Sequence, residues 1–492
     1  MMILSTVTEP VADVTIWVMR KAASLLVLVI LLAGPVQSLC AQDAVRLSND
    51  SLTALQAYEA QLADLESQYG PYHSNLLEPL ESMEALLAEM ESYERVAELQ
   101  RRRLQIRRTE FGFEGGELIP LLEEIITTQL QLSDWQGVAD SLDHIRHLHV
   151  VNSGRDSEAV LATRRRQAQW LYSRVYLDPD RDRADLVLDA RDIYDETLDQ
   201  AKDKYGEDSP KLIPWLYDRA LSLYYLVAMM NTDNGLAGSA IDEVVFRDGV
   251  ARLHTMSANA SIGAISFYGP SSRVPIVDAD EPVGVAYLRQ ARGFINDIEQ
   301  IGVEINDTEL RAMAAIYKGD LNILMRRSSG RKDYREAREW LLEAGIPEER
   351  VDSFFARPMP LPMPQFFSDF AGLERYQRSR LSELPGSEDQ ANHVGLLTVW
   401  DEDMRAVAIP RAPEGMAELQ IDLNHVDLEF RISTRGEVSS VDVLAAEPDE
   451  KKVERTAWRA LREISFRPPF IDNRTRTVRD ARIRYQFHRR EQ

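Results

Sequence analysis

The spacing of hydrophobic positions divides the chain into a long helical region and a short mixed region. From about residue 50 to 350, apolar residues recur with the period of an α-helix among many Leu, Ala, Glu, Gln and Arg residues. From about residue 413 to the end, short alternating runs of apolar and polar residues surround a single helical stripe. The pattern therefore predicts a mostly α protein with a small α+β domain at its C-terminal end.

The helical region contains a repeat with a period of 42 residues. The positions matched by this shift are Tyr93 with Trp135, Ala97 with Ala139, Gly70 with Gly112, Leu76 with Leu118, and Leu80 with Leu122. The pattern returns at Gly206, and a weaker copy contains Gly319. Each unit is predicted to hold two helices, which bury their apolar faces by stacking on the next unit. The repeat therefore predicts an α-solenoid.

Each kind of matched residue has a predicted role in the unit. The aromatic residue, Tyr93 or Trp135, is expected to be buried in the gap between the paired helices. The alanine four residues later lets the helices approach closely, and the glycine after the second helix is expected to form a left-handed cap. This arrangement resembles the tetratricopeptide family, in a version with a period near 42 rather than 34. The resemblance covers about 50–350 and implies a surface that binds proteins rather than an enzymatic activity.

Two segments interrupt the helical pattern. The insertion at 232–282 is marked by Gly, Ser and Asn, and we expect an extended loop there. The linker region at 351–412 contains "RPMPLPMP" at 357–364, between two pairs of phenylalanines. Alternating prolines enforce an extended chain with few amide donors. We expect this strap to pack its aromatic rings against the protein itself, and the alternative is a ligand for a proline-reading domain.

The last segment, 413–492, predicts the element order β-β-α-β. Strands at 426–432 and 438–444 flank a turn that contains Gly436, and a strand at 476–487 ends the domain. The helix is expected to begin at Asp449, and its apolar stripe consists of Val453, Ala457, Ala460, Leu461 and Ile464. On the last strand, one face carries Ala481, Ile483, Tyr485 and Phe487, and the other carries Arg482, Arg484 and Gln486.

Residues from about 410 to 488 resemble the C-terminal domain of TonB proteins. The resemblance is carried by the turn glycine Gly436, by Phe466 and Pro468 in a Phe-x-Pro sequence after the helix that contains Leu461, and by a final aromatic strand with Tyr485. In that family the domain lies in the periplasm of Gram-negative bacteria and binds a short segment of outer-membrane receptors by adding it to the final strand.

The TonB resemblance implies where partners bind. We expect the final strand to be a sheet edge, because an edge offers unpaired backbone groups to an extended peptide. The outward residues Arg482, Arg484 and Gln486 would then contact the partner. The implied partners are proteins or extended peptides of the cell envelope, outer-membrane receptors among them.

Charge and cysteine content narrow the function classes. The chain carries 57 Lys and Arg against 80 Asp and Glu, a formal net charge of −23, which argues against nucleic-acid binding because that requires a basic surface. Cys40 is the only cysteine, so a disulfide framework is excluded and packing must supply the stability.

The N-terminal residues 1–41 predict a secretory signal peptide. Arg20 and Lys21 precede an apolar run at 22–33 and a short exit that ends near Ala41. The run is short compared with the roughly 20 residues of a membrane span. The expected location is therefore the periplasm. The alternative is an inner-membrane anchor facing the periplasm, and membrane contact is expected only if 22–36 remains uncleaved.

No chemical motif emerges from the residues. His144, His147 and His149 stand close together, but the third turns away from the helix face of the first two. We expect no catalytic residues, no cofactor and no metal. The predicted function is an exported scaffold protein that binds other proteins, combining the solenoid with the TonB-like domain. The alternatives are a TonB-type energy transducer for outer-membrane transport and an envelope hydrolase with its site in 232–282.

Overall fold

The computed structural model describes residues 51–178, 183–230, 283–326, 328–382, 392–399 and 423–488. The expected signal peptide or anchor (1–41) and the insertion 232–282 lie outside these residues. Among the helices that are described, none has both the length and the apolar character needed to cross a bilayer. The chain divides into two compact units, 1–128 and 129–492.

The first unit contains paired helices. Its elements are α1 (51–69), a 3-10 turn (Ser74–Leu76), α2 (Leu77–Glu89), α3 (Tyr93–Phe111), a second 3-10 turn (Gly116–Leu118) and the beginning of α4 (Ile119–Gln131). Buried leucines such as Leu76 and Leu80 form its core with Met83, Val96 and Ile106. α1 and α3 are joined by ion pairs of Arg95 with Glu59 and of Arg102 with Glu66.

The element bounds confirm the 42-residue register. A shift of 42 carries the first 3-10 turn, α2 and α3 onto the second turn, α4 and α5 (Trp135–Ser153), and α6 (Glu158–Leu177) begins 42 residues after Gly116. Tyr93 and Trp135 are both the first residue of a helix, and Ala97 and Ala139 lie at equivalent places. The expected burial of the two rings is wrong, since both are half-buried at the helix ends.

The glycines that end the second helices have an unexpected conformation. Gly112 has φ +81° and ψ 175°, and Gly154 has φ +88° and ψ 157°. Positive φ explains the glycine, but ψ lies far from the left-handed helical value, so the predicted left-handed cap is wrong. Gly70 and Gly206 also have positive φ. The predicted weaker copy of the repeat is wrong, because Gly319 lies inside a helix and does not end one. The lack of a side chain at Gly319 leaves space for the Tyr334 ring.

The second unit contains the remaining helices and all eight described strands. Its further helices are α7 (Arg183–Tyr205), α8 (Ile213–Met230), α9 (Val283–Glu304), α10 (Thr308–Leu324), α11 (Arg331–Glu343), α12 (Glu348–Phe355), α13 (Phe370–Ser382) and α14 (Lys451–Glu463). A 3-10 turn at Pro210–Leu212 precedes α8, as the third copy of the repeat predicts. The helical core is rich in buried tyrosines, including Tyr172, Tyr217, Tyr317 and Tyr334.

The C-terminal sheet has the predicted β-β-α-β order with one strand added. The strands β2 (His393–Val399), β3 (Leu423–Ile432), β4 (Val438–Glu447) and β8 (Val478–His488) form a sheet in the order β2-β8-β3-β4. β2 is parallel to β8, and the other pairs are antiparallel. The predicted helix stripe, including Leu461, is buried against one face with Phe466 and Tyr485. The helix begins at Lys451 rather than Asp449.

The proline-rich strap packs against the protein itself, as expected. Its strand β1 (Met359–Leu361) pairs antiparallel with β5 (Ser465–Arg467), which contains Phe466 and precedes Pro468. The hydroxyl of Tyr217 donates to the Met363 carbonyl at 2.6 Å, and that of Tyr317 donates to the Gln365 carbonyl at 2.7 Å. The two short strands β6 (Phe470–Ile471) and β7 (Arg474–Thr475) follow β5 and form a separate hairpin.

A buried ion pair joins the C-terminal segment to the helices. Arg467 on β5 is 1% exposed, and its Nε donates to Oδ1 of Asp320 on α10 at 2.8 Å, while a second nitrogen donates to Oδ2. The Tyr334 hydroxyl donates to Oδ1 of Asp320 at 2.8 Å. Burial alone would lower the pKa of Arg467, but the charge and hydrogen bonds of Asp320 raise it above its ordinary value. Arg467 therefore stays charged inside the core.

The turn between β3 and β4 packs close to this ion pair, at the junction between the C-terminal segment and the helices. Gly436 has φ +81°, and its carbonyl accepts a hydrogen bond from the Phe466 amide at 2.9 Å. A Cβ at Gly436 would collide with the Phe466 carbonyl oxygen and would come within 2.9 Å of Ile323 on α10. The glycine predicted from the turn pattern is therefore also required by the close approach of three elements.

A second buried ion cluster lies in the first unit. The guanidinium of Arg103 on α3 binds Glu84 at 2.6 Å, Glu81 at 2.6 Å and Glu124 at 2.7 Å. Glu84 is 6% exposed, and its Oε1 has no hydrogen-bond partner. Burial raises the pKa of Glu84 from 4.5 to about 7, although Arg103 opposes the shift. One arginine thus faces three carboxyl groups, and the buried Glu84 holds its proton more strongly than a free glutamate does.

Breaking the junction ion pair should destabilise the protein strongly. Arg467→Met leaves the buried Asp320 carboxylate without its charge partner, and Asp320→Leu leaves the buried guanidinium alone. We expect each single change to cost about 3–5 kcal/mol of unfolding free energy, and the double change to cost less than either. Calorimetric unfolding of the four proteins of this cycle measures the coupling. Additive single and double losses would contradict a paired junction.

The Glu84 cluster should make stability fall as pH rises. The folded state holds the Glu84 proton up to about pH 7, whereas the unfolded chain releases it near 4.5. The unfolding free energy should therefore fall between about pH 4.5 and 7, by up to about 3 kcal/mol, and level off above. Glu84→Gln should flatten this dependence in urea titrations. Glu78→Gln, at an exposed site on the same helix, is the control, and an equal effect of both changes would refute the assignment.

Candidate functional site

The final strand is not a sheet edge, so that expectation is wrong. β8 lies between β3 and β2, with Leu396 opposite Arg484 and Leu397 opposite Tyr485. The reason is that "HVGLLTV" at 393–399, within the region predicted to be a linker, supplies a strand of its own. The position next to β8, where an external peptide was expected to add, is therefore filled by this chain.

The three residues predicted to contact a partner lie on the outer face of the sheet, and the two arginines are ion-paired across the strands. Nε and Nη2 of Arg484 donate to the two carboxylate oxygens of Asp427, both at 2.7 Å, and Nε of Arg482 donates to Glu429 at 2.8 Å. The hydrogen bonds from Arg484 lower the pKa of Asp427. Gln486 is half-buried opposite His425. These ion pairs lock neighbouring strands together, and partner contact at the three residues remains a prediction.

The far side of β2 is covered by α13. The guanidinium of Arg380 donates to the Leu396 carbonyl, and a Cβ at Gly395, which has φ +93°, would collide with the Arg380 carbonyl oxygen. On the inner side, the Arg482 amide donates to the Asn392 carbonyl at 3.1 Å. β2 is thus held from both directions, and α13 lies against its free side at Gly395 and Leu396.

The opposite strand, β4, is the open edge. It pairs only with β3 among the described residues, and most of its side chains are exposed or half-buried. Leu444 sits at a bulge and is 52% exposed. The indole Nε1 of Trp458 on α14 donates to the Val441 carbonyl at 3.0 Å, so a side chain satisfies this backbone group of β4. An incoming strand could take over such groups.

The helix beside β4 carries a surplus of positive charge. α14 contains Lys451, Lys452, Arg455, Arg459 and Arg462 against Glu454 and Glu463, five positive and two negative side chains, for a net charge of +3. The Arg462 guanidinium lies 4.8 Å from the centre of the Trp458 ring. This positive charge favours an acidic neighbour along β4.

Elsewhere in the described residues, a cavity among the helices is lined in part by polar side chains. Tyr217, Tyr224, Tyr317 and Asp320 line this cavity, which has about 330 Å³ of empty space, part of it open to solvent. Burial raises the pKa of all three tyrosines, and Asp320 is occupied by Arg467. Of the three histidines on α5, His147 is exposed and the other two are half-buried. Among the described residues, no group of His, Cys, Asp and Glu is arranged to hold a metal ion.

Sequence reasoning missed β2 and therefore chose the wrong edge. The available signal was the apolar run at 393–399 with Gly395 inside it, bounded on both sides by polar and proline-containing segments. The match of α14 to an open strand could not be found in this way, because it depends on which strand ends the sheet. In comparisons with known proteins, the chain matches no protein-family model and no curated protein sequence.

Proposed function

We propose that this chain is an exported protein of the bacterial cell envelope that binds other proteins. In this proposal the paired helices form a tetratricopeptide-like solenoid, and the C-terminal sheet is a TonB-like domain that takes up extended peptides by strand addition. The periplasm is the proposed location, on the basis of the predicted signal peptide. The 42-residue register and the β-β-α-β order with Phe466 and Pro468 support these assignments.

One observation carries the proposal: the edge strand β4 pairs only with β3 among the described residues and lies next to the basic helix α14. Strand addition needs unpaired backbone groups, and it gains selectivity from side chains beside the edge. The occupant proposed here is an extended peptide of another envelope protein that carries acidic side chains. Because β2 closes the β8 edge, a scaffold role is favoured over an energy transducer that would pull a receptor segment from β8.

Docking on β4 should involve Trp458 directly. Its indole now occupies the Val441 carbonyl, and a peptide amide that pairs with this carbonyl would displace it. The same contact also protects the free edge, together with the bulges of the β3–β4 pair and the positive φ of Ser440. These features therefore disfavour pairing of β4 with unrelated strands. A peptide that also pairs with the charges of α14 can displace the Trp458 indole and bind.

A synthetic peptide should test this edge on the full-length protein. A ten-residue peptide of alternating Glu and Val should bind saturably, and a matched Lys and Val peptide should bind at least tenfold more weakly. The double change Arg459→Glu and Arg462→Glu should weaken binding at least tenfold, and Arg474→Glu with Arg479→Glu, the same charge change at two exposed sites away from β4, should not. In nuclear magnetic resonance spectra, the indole signal of Trp458 should shift on binding.

Backbone chemistry distinguishes strand addition from simple charge attraction. Methylating alternate amide nitrogens of the Glu and Val peptide removes donors from one of its edges, so one of the two methylation patterns should abolish binding. If both methylated peptides bind like the parent, strand addition on β4 is refuted. Gly395→Val, which collides with Arg380 and dislodges β2, provides the contrasting case. Binding that appears only in this variant would move the site to β8.

A further inference from the structure

Four aromatic rings of the first unit stand in solvent. Tyr69 is 48% exposed, Tyr72 55%, Phe111 37% and Phe113 67%. Aromatic side chains of this size are usually buried, because each removes a large apolar area from water. Tyr69 and Phe111 are the last residues of α1 and α3, and Tyr72 and Phe113 lie in the turns that follow; we call the two helix ends with their turns the aromatic turns. The 42-residue shift places Tyr69 on Phe111, so each turn has a ring before its glycine and a second ring after it.

The two aromatic turns lie side by side. The ion pairs that join α1 to α3 connect Arg95 with Glu59 and Arg102 with Glu66, a constant offset of 36 residues. A constant offset means that the two helices run in the same direction, so their C-terminal ends, and the turns that follow, lie at the same end. The two pairs of rings therefore lie at the same end of the first unit.

Arginine side chains accompany the rings. The Arg107 guanidinium lies 5.7 Å from the centre of the Phe111 ring, and that of Arg108 lies 5.5 Å from the centre of the Phe113 ring. Among the described residues Arg108 forms no ion pair, and its Nε is buried without a hydrogen-bond partner. Exposed aromatic rings with arginine are the composition of energetic centres in protein interfaces. An unpaired guanidinium beside them calls for a carboxylate from the partner.

We propose that the aromatic turns bind a proline-rich, extended segment of another protein with an acidic flank. A polyproline II chain presents the same face every third residue, so successive prolines of one face can contact neighbouring rings. The rings stand out from the surface, which suits the stacking of prolines on aromatic faces, and the acidic flank reaches Arg108.

A lipid surface is the less suitable occupant. Glu110 and Glu114 lie next to Phe111 and Phe113 in the chain, and both carboxylates are exposed. An anionic membrane would repel them. A polypeptide can place its own charges between them, so a protein partner is favoured. This surface goes beyond the proposed function at β4, because it belongs to the other unit and needs a different peptide.

The test uses the full-length protein and a labelled twelve-residue peptide with prolines at every third position, leucines between them and two glutamates at one end. We expect saturable binding in fluorescence polarisation. Tyr72→Ser with Phe113→Ser should weaken it at least tenfold without unfolding the protein, since both rings are exposed. Val151→Ser with Val303→Ser, at two exposed apolar sites elsewhere, should leave binding unchanged. Arg108→Gln should weaken the glutamate peptide severalfold and a glutamine-ended peptide not at all.

Three outcomes would overturn the proposal. Wild-type protein that does not bind the peptide excludes a proline-reading surface. Equal binding of a peptide with alanine in place of proline shows that the extended conformation is not recognised. Aromatic-dependent binding to vesicles of phosphatidylglycerol and phosphatidylcholine, without peptide binding, would assign the rings to a membrane. The Arg459→Glu and Arg462→Glu protein should bind the proline-rich peptide normally, so failure of the β4 site and failure of this one are separable.

Discussion

The ion pair between Asp320 and Arg467 is the constraint on which the second unit depends. A guanidinium that is 1% exposed is tolerated only if a carboxylate meets it with good geometry, and Asp320 supplies both oxygens while Tyr334 supplies a further hydrogen bond. Nη1 of Arg467 has no hydrogen-bond partner, and the nearby Phe354 ring, at 5.3 Å, offers it a cation–π contact instead. Because Arg467 must reach α10, β5 enters the helical core, β1 pairs with it, and Phe470 joins the helical cluster. The packing of the helices and the packing of the sheet in this unit therefore depend on the same ion pair.

Local periodicity predicted a large part of this fold. The 42-residue register was visible in matched leucines, aromatics and glycines, and the stripe from Val453 to Ile464 identified the helix that covers the sheet, because both patterns depend only on neighbouring turns of chain. The junction was invisible in the sequence, since Asp320 and Arg467 are 147 residues apart and neither lies in a distinctive motif. Tyr93 and Trp135 show a further limit: the repeat located them correctly, but their exposure depends on being the first residue of a helix.

The two edges of the sheet illustrate how one added strand redirects a functional prediction. Strand order cannot be derived from alternation alone, and the sheet was predicted without β2. Once β2 lies parallel to β8 and is covered by α13, the residues Arg482 and Arg484 become cross-strand ion pairs on an outer face rather than the border of an open edge. The unpaired backbone groups are then found on β4. The proposal keeps strand addition as the mode of recognition, but the binding site moves from β8 to β4.

Charge connects the two proposed binding surfaces. The chain as a whole is strongly acidic, and at long range it repels acidic segments, which lowers their rate of encounter. Within a Debye length of about 8–10 Å, however, a segment feels mainly the nearest side chains. At β4 these are the arginines of α14 around Trp458, and at the aromatic turns they are Arg107 and Arg108 beside the phenylalanine rings, together with the exposed Glu110 and Glu114. Only a segment whose backbone or prolines already fit can come close enough for these local charges to act. A partner must therefore fit the shape of the surface before its charges contribute to binding. This requirement reduces non-specific binding at the two proposed surfaces of an acidic protein.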